Sequence, residues 1–583
     1  MGAVVATSGM RSQLAQETRR RITFLGICLA VIGLVLTVRV GYWQLRGVTF
    51  VDPTQSLVLQ PLRGSIVDAN GRYLVANSVI YTVGISPHLL REDDREGYLR
   101  LLTEVLGMEA REAGTVLDSR QPYVQLGTEV PSATVDELLR RCDEDQYLTA
   151  SVFRLDPRQQ RVYADPRLMA SVLGMVLSDG EAAYGIEQQY DAALRGQEGQ
   201  WASLIDETGQ AVLAEWGEYR SPRDGAQVVL TIDRNVQLEA ERLLTEALDT
   251  YEALRGNILV LDPRTGAVLA MANLPGVNLE TLEELQTGDF WRVANTAASA
   301  IYEPGSVIKP ITLAAALETR SVLPTDTYDD RGEMWVGGRR VANMGDVPYG
   351  QLNWTQMLAR SANVGAAHLA ATMGPARFYE MLRRFGFGDV TGVDLPLEAQ
   401  GLMRVPNMDT WHMSDLATNS YGQGISMTPL QVAVAYAALA NDGVMMRPHL
   451  VAEVRWPDGV QRREPAVLRR VLSPQVADQV GEIMAEAMEL GMENAMVAGY
   501  RFAGKSGTAG VPRDGEYDHR LATPSFVGFG PLPEPRFVIL VKLEEVVGDA
   551  LGLEVAAPIF REMATYLLDY YRVPASQPLA EAG

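Results

Sequence analysis

The first long apolar stretch of the chain is bounded by charge on both sides. Arg19, Arg20 and Arg21 precede an uncharged run from Ile22 to Val38, and Arg39 is followed by Tyr42 and Trp43. A membrane-spanning helix needs roughly 17–25 residues, which the run supplies if the helix continues past Arg39 into the two aromatics. Arginines suit the cytoplasmic side, and Tyr and Trp suit the opposite interface. No small-x-small cleavage site follows. The pattern predicts an uncleaved single anchor over 22–45 behind a cytoplasmic tail of residues 1–21, with all later residues outside the cytoplasm.

Beyond the anchor, hydrophobic positions alternate around Asn70-Gly71 in "PLRGSIVDANGRYLVANS" (61–78), which predicts a hairpin. From 85 to 150 short amphipathic helices alternate with acidic loops, and 184–200 reads as one helix ended by glycines. The polar "SPRDGAQ" (221–227) marks a domain boundary. After it, "VVLTI" reads as a strand, and Asp233 caps an amphipathic helix through Leu248. "NILVLDPRTGAVLAMA" (257–272) reads as two strands joined by a turn. The segment from 305 to about 500 reads as mostly helical with long loops, strands return at "FVGFG" and "RFVILVKL", and 557–571 closes as a helix. Strands at both ends of a helical middle imply one sheet assembled from distant segments, with helices on its faces: a mixed α/β fold.

Composition narrows the functional classes. The 583 residues are 47% hydrophobic and 21% charged, as in globular proteins. A net charge of -22 argues against a nucleic-acid-binding surface. Cys28 lies in the apolar run and Cys142 in a polar stretch, so no internal disulfide is expected. With five histidines and no Cys-x-x-Cys or His-Glu-x-x-His, a zinc site is disfavoured. The distribution of basic residues is more informative. Of 51, only Lys309, Lys505 and Lys542 are lysine. Arginine keeps its charge permanently, whereas lysine loses its proton when desolvated or placed near another cation. Positions that resist arginine are candidates for chemistry that needs a neutral amine.

Lys309 follows Ser306 by three residues in "EPGSVIKP" (303–310), a spacing that places both on one face near a helix start. A serine becomes a nucleophile when a base removes its proton, and a neutral lysine is such a base. Alone the pair is a weak signal. "AGKSGTAG" (503–510) then sets Lys505 beside Ser506, Gly507 and Thr508, and "RSANVG" (360–365) carries Ser361 and Asn363 between the two lysine motifs. The set S-x-x-K, S-x-N and K-[ST]-G, in this order, resembles the penicilloyl-serine transpeptidases.

Longer phrases extend the resemblance from the anchor to Tyr571. "YEPGSVIKP", "NSYGQGISMTPLQVAVAYAALANDGV" (419–444) and "SFVGFGPLPEPRFVILV" look like class B penicillin-binding proteins, and "RGSIVDANG" and "GIEQQYD" like their non-catalytic pedestal. The resemblance implies an elongated α+β pedestal over 46–224 and a transpeptidase domain over 225–572, with a central antiparallel sheet flanked by helices. A tail follows at 573–583. "SYGQGISMTPLQ" is closer to the cell-division branch than to the elongation branch, and no PASTA repeats follow the last helix. Two departures stand out: alanine at 362 within the second motif, and "RVYADP" (161–166) without a proline directly after Tyr163.

Roles follow from the resemblance. Ser306 is implied as the nucleophile, Lys309 as its base, Ser361 as a proton relay and Asn363 as a substrate holder. Lys505 would supply positive charge, and Ser506, Gly507 and Thr508 would line the site of the substrate carboxylate. The backbone N–H groups of Ser306 and Thr508 would form the oxyanion hole. No metal or organic cofactor is implied. The implied partners are stem peptides ending in D-Ala-D-Ala, β-lactams, the cytoplasmic membrane, a SEDS-type glycosyltransferase and other division proteins of that membrane.

Rival readings meet specific objections. "GYRFAGKS" (499–506) fits the P-loop pattern, but "GTAGVP" after it is poor helix sequence and the anchor places it away from ATP. A β-lactam sensor needs a larger membrane portion than one anchor, and a lactamase has no use for the pedestal. A non-catalytic division scaffold has no reason to keep Lys309 against the arginine bias. A Ser-His-Asp hydrolase lacks its G-x-S-x-G elbow. Lys542, in an apolar strand, reads as an edge or snorkelling residue. His368 and His412 read as structural, and Met445 and Met446 as packing.

Overall fold

The computed structural model describes residues 6–45, 54–145, 147–177, 179–205, 211–213, 219–281, 289–513, 516–548 and 550–575. The start of the expected cytoplasmic tail, the first pedestal residues (46–53) and most of the C-terminal tail lie outside these. The chain divides into two compact units, residues 1–60 with 198–222, and 61–197 with 223–583.

In the first unit, one helix runs from Ala6 to Leu45, and its stretch Thr18–Tyr42 is long and apolar enough to cross a membrane, with mean hydropathy 2.3. Thr23 and Thr37 turn their hydroxyls back to the carbonyls of Arg19 and Gly33, so these polar groups are satisfied within the helix, as a lipid environment requires. The unit also holds a small antiparallel sheet in which Gly199–Ile205 pairs with Thr54–Leu59, Ala211–Leu213 and Tyr219–Arg220.

The second unit begins with the Asn70-Gly71 hairpin. Asp68 accepts from the N–H groups of Asn70 and Arg72, and Gly71 takes φ +79°. The hairpin strands Ile66–Val67 and Tyr73–Ile85 belong to a seven-stranded sheet completed by Val124–Pro131, Phe153–Tyr163, Gln227–Leu230, Val451–Trp456 and Gly459–Arg462. Thus the strand just past the expected boundary at 224 joins the sheet of the segment before it. Two expectations are corrected here. The region 85–150 holds a strand, Val124–Pro131, as well as helices. Its residues alternate half-buried with exposed, and Gly127, Thr128 and Glu129 blur the period-2 signal. The region 184–200 is two short helices, Gly185–Gln189 and Asp191–Leu194, followed by a strand. Gly196, at φ +74°, turns the chain where a Cβ would lie 2.5 Å from the Arg223 carbonyl.

The other large sheet is antiparallel, in the order Val268–Leu274, Arg255–Leu261, Phe537–Glu544, Glu516–Gly530, Ala503–Arg513, with Val546–Val547 added to the fourth of these. Alternation along its strands separates two cores. Ile258, Val260, Phe526, Ile539 and Val541 pack against the helices Arg234–Thr250 and Gly552–Tyr570. Leu259, Leu261, Val527, Val538 and Leu540 face the helical middle, where Pro429–Ala440 is buried along its whole length. That helix is apolar on every side, which suits only such an interior position. Thr428 and Gln431 close its N-terminus with a reciprocal capping box. The middle also contains small two-stranded sheets that the pattern did not announce, among them Glu333–Val336 with Arg339–Ala342 and Val444–Met446 with Val467–Arg470.

Lys542 is neither an edge residue nor a snorkelling one. Its strand is the middle one of the ordered five, and its side chain is fully buried. The outer position of a strand depends on which segments flank it, and here the hairpin 255–274 comes from nearly 300 residues earlier. His368 stacks on Tyr328 at 5.5 Å, with burial lowering its pKa, and His412 caps the helix Met413–Ser420. Met445 and Met446 are buried.

Candidate active site

Ser306 lies in a tight 3-10 turn, Gly305–Ile308, that runs directly into the helix Lys309–Glu318. Pro310 is placed in the first helical turn, where its missing N–H costs nothing. Glycines let the turn pack closely. Gly305 has φ +59°, and a Cβ there would lie 2.9 Å from the Thr508 carbonyl. Gly422 has φ +85°, and a Cβ there would lie 2.1 Å from the Gly305 carbonyl. From below, the Tyr436 hydroxyl donates to the Val307 carbonyl at 2.7 Å.

Lys309 is completely buried. Its Nζ contacts the Ser361 carbonyl, Ser361 Oγ at 3.1 Å and Asn363 Oδ1 at 2.8 Å. The Asn363 amide is oriented by its other end, since Nδ2 donates to the Ala342 carbonyl at 3.0 Å. Two of the three partners therefore only accept, while the Ser361 hydroxyl can also donate. A neutral amine, with two N–H donors and one lone pair, matches that set. Ser361 follows the helix Trp354–Ala359 with φ +53°, a left-handed conformation uncommon outside glycine. This conformation turns both its carbonyl and its hydroxyl toward Lys309. Among the described residues Ser306 Oγ makes no hydrogen bond, and Lys309 spends its contacts on the second motif.

Lys505 is also buried, on the edge strand Ala503–Arg513, with Nζ donating to the Ser506 carbonyl at 2.9 Å and contacting its Oγ at 3.3 Å. Burial pushes this amine down to about 7. Burial first, and then the charge of Lys505, hold Lys309 well below the usual lysine value. Neither amine has a carboxylate within ion-pair distance among the described residues.

The rest of the third motif borders the Ser306 turn. Gly507 is buried, and a Cβ there would lie 2.9 Å from Val307 Cγ1 and 3.0 Å from the Pro304 carbonyl. Its lack of a side chain lets strand and turn meet, and this is the position's visible contribution. Ser506 is half-buried and Thr508 exposed. Thr508 stands opposite Pro524, which has no N–H to pair, and its carbonyl lies against Gly305. N–H and C=O of one strand residue point the same way. The Thr508 N–H therefore faces the Ser306 turn from the free edge. The Thr508 hydroxyl also accepts from Gly552 N at 3.0 Å.

The structure thus brings together Lys309, Ser361 and Asn363, and sets Ser306 beside Gly507 and Thr508. It also adds Glu303, whose carboxylate accepts from Gly424 N and from the Tyr517 hydroxyl, each at 2.8 Å. The signal was there, because Glu303 and Gly424 both lie in the phrases that carry the resemblance. The P-loop reading fails on geometry: "GYRFAGKS" enters a strand rather than a helix N-terminus.

Comparison with known proteins bears on the family of the chain. Residues 256–565 match the penicillin binding protein transpeptidase domain, and residues 58–230 the penicillin-binding protein dimerisation domain. The chain is 34% identical over 479 residues to the penicillin-binding protein PbpB of Mycolicibacterium smegmatis, covering 79% of this chain and 71% of that one. It is 26% identical over 580 residues to the probable peptidoglycan D,D-transpeptidase PenA of Neisseria meningitidis, covering 96% and 94%. Among solved structures, penicillin binding protein 3 of Mycobacterium tuberculosis complexed with aztreonam aligns with TM-score 0.67 and 28% identity, over 90% of this chain and 99% of that one.

Proposed function

Because the chain belongs to the penicillin-binding-protein transpeptidase family, we propose that it cross-links peptidoglycan stem peptides through an acyl-enzyme on Ser306. It is a serine-type D,D-transpeptidase and a target of β-lactams. The observation that carries the assignment of roles is the buried, carboxylate-free Lys309 amine, set among acceptors that suit its neutral form.

The chemistry follows from the placement of each group. Ser306 Oγ loses its proton to Lys309 as it attacks the penultimate D-Ala carbonyl. Charge developing on that oxygen is met by the N–H groups of Ser306 and Thr508, donors of a kind worth roughly 2.7–4 kcal/mol each. Ser361, held on Lys309, passes the proton to the amine of the departing D-Ala. Lys505 with the hydroxyls of Ser506 and Thr508 holds the terminal carboxylate, and Asn363 holds the peptide backbone. An amine of a neighbouring stem peptide then takes the acyl group and frees Ser306.

The apolar N-terminal helix supports a single-pass anchor. Arg19–Arg21 favour a cytoplasmic N-terminus with the catalytic sheet outside. The phrase "SYGQGISMTPLQ" favours septal wall synthesis beside a SEDS-type glycosyltransferase of the division machinery. A reporter fused after Tyr571 that works only outside the cytoplasm is expected to be active, and a silent one would reverse the orientation. For the reaction, a reporter penicillin is expected to label Ser306, and Ser306→Ala to abolish labelling with an unchanged thermal melt. Peptide mapping of the adduct to Ser361 or Ser506 would overturn the roles given above.

A further inference from the structure

Lys542 has no part in this scheme, yet it is as buried as the two lysines that do. It pairs in register with Ser525 on one side and Asn257 on the other. Ser525 in turn stands opposite Gly507, and Asn257 opposite Asn273. Directly paired residues share a face, as do residues two apart on a strand. One row of side chains therefore crosses the catalytic sheet from Gly507 through Ser525, Lys542 and Asn257 to Asn273, on the face that carries Lys505. Its far end is tied down. Asn257 Nδ2 donates to Asn273 Oδ1 and Thr296 Oγ1, each at 2.8 Å, and Asn273 Oδ1 accepts from Ala297 N at 2.9 Å.

The centre of the row reaches the catalytic turn. Lys542 Nζ lies 4.4 Å from the centroid of the Tyr302 ring and is ion-paired with Glu544. Glu544 is also held by Arg255, so its charge is compensated twice. Tyr302 is four residues before Ser306, and its backbone N–H and carbonyl are both bonded to Met427. Along this row and at the ring, Ser525 Oγ, Asn257 Oδ1 and Tyr302 Oη are buried without a hydrogen-bond partner among the described residues, and Lys542 Nζ has only its ion pair with Glu544 and the Tyr302 ring. An ion pair that served stability alone would need only Glu544. The contact with Tyr302 has a different consequence, because that ring leads into the nucleophile.

Resting on the transpeptidase reading, we propose that Lys542 is a positioning residue for acylation. Its ammonium, clamped between Glu544 and the Tyr302 ring, fixes the Tyr302–Ser306 segment against the Lys505 strand. It touches neither substrate nor reacting atoms, and acts through where Ser306 Oγ stands.

The test is the acylation of the full chain by a reporter penicillin, resolved into its noncovalent dissociation constant and its first-order acylation rate, with thermal melts alongside. Lys542→Met keeps length and volume, and Arg255 still compensates Glu544. It is expected to lower the acylation rate about tenfold or more, since small misplacements of a nucleophile carry penalties of that order. The dissociation constant should stay within about twofold, the split expected when only transition-state geometry is disturbed. Tyr302→Leu, which leaves the Lys542–Glu544 pair intact, should lower the same rate, and adding Lys542→Met to it should cost little more. Wild-type acylation by Lys542→Met overturns the proposal. So does normal acylation by Tyr302→Leu, the measurement that decides if Lys542→Met does not fold. Multiplicative losses in the double variant overturn it as well. If the wild-type chain is not labelled at Ser306 at all, the transpeptidase reading fails; if it is labelled and these variants match it, only this inference does.

Discussion

Two buried clusters of charge in the same compact unit are built on opposite rules. In the pedestal, Glu187 is fully buried, with Arg63 on one carboxylate oxygen and Arg161 on the other. Arg63 also pairs with Asp191 at 2.7 Å, and Arg161 donates to Asn77 Oδ1 at 2.7 Å. In the active site, Lys309 and Lys505 are just as buried and have no anion within ion-pair distance among the described residues. A buried cation without a counter-ion is costly, and the group answers by giving up its proton. Arginine does not have that option. The contrast sets arginine where a charge is permanent and paired, and lysine in the active site, where the charge can be shed. Lys542 lies between the two, buried like the catalytic amines but paired like the arginines.

The sharpest way to break this contrast is to give the active site an arginine. Lys309→Arg keeps charge and reach but cannot accept the Ser306 proton, so acylation should fall about as far as in Lys309→Ala, on the order of 10²–10⁴-fold for a lost general base. A Lys309→Arg enzyme within about tenfold of wild type, or ~1.4 kcal/mol of barrier, would remove the general-base role. The converse experiment strips the pedestal of its anion. Glu187→Ala leaves Arg63 and Arg161 facing each other without a counter-charge, and breaking a buried pair in this way costs about 3–5 kcal/mol. Denaturant unfolding should show that loss, while the fraction still folded acylates at the wild-type rate. A Glu187→Ala protein with unchanged stability would mean that the arginines are hydrated rather than paired.

How much of this was legible in the sequence depends on the distance over which each signal acts. The rarity of lysine singled out Lys309, Lys505 and Lys542 without any structure, and all three are buried. The Asn70-Gly71 hairpin and the Asp233 cap were legible for a simpler reason: both are set by residues within a few positions. The grip of Lys309 on Ser361 and Asn363 joins segments more than 50 residues apart, and no local pattern encodes its register. Lys542 failed for the same reason in reverse. "RFVILVKL" announces a strand but not its neighbours, and only strand order makes its lysine central. Gly507 was assigned to substrate binding from its motif, and its close packing against Val307 and Pro304 is a demand that only the fold reveals.

The smallest effect expected concerns Lys505, the lysine whose proposed task is to be charged. Alone in the site, burial sets its pKa at about 7, so near neutrality it carries its proton only part of the time. A bound carboxylate favours the ammonium and must raise that pKa. Noncovalent binding of a penicillin should therefore take up protons, about half of one at pH 7, more toward pH 8 and little below pH 6, because linkage follows the difference in protons bound. Ser306→Ala isolates this step by preventing acylation, and calorimetry in buffers of different ionisation enthalpy counts the protons. In the same background Lys505→Arg should still bind the carboxylate, more weakly for its altered shape, yet take up none. It would have been converted to the rule of the pedestal, where charge does not depend on the ligand. Binding by Ser306→Ala without proton uptake between pH 7 and 8 would show that Lys505 is already fully charged at rest. The distinction between removable and permanent charge would then rest on Lys309 alone.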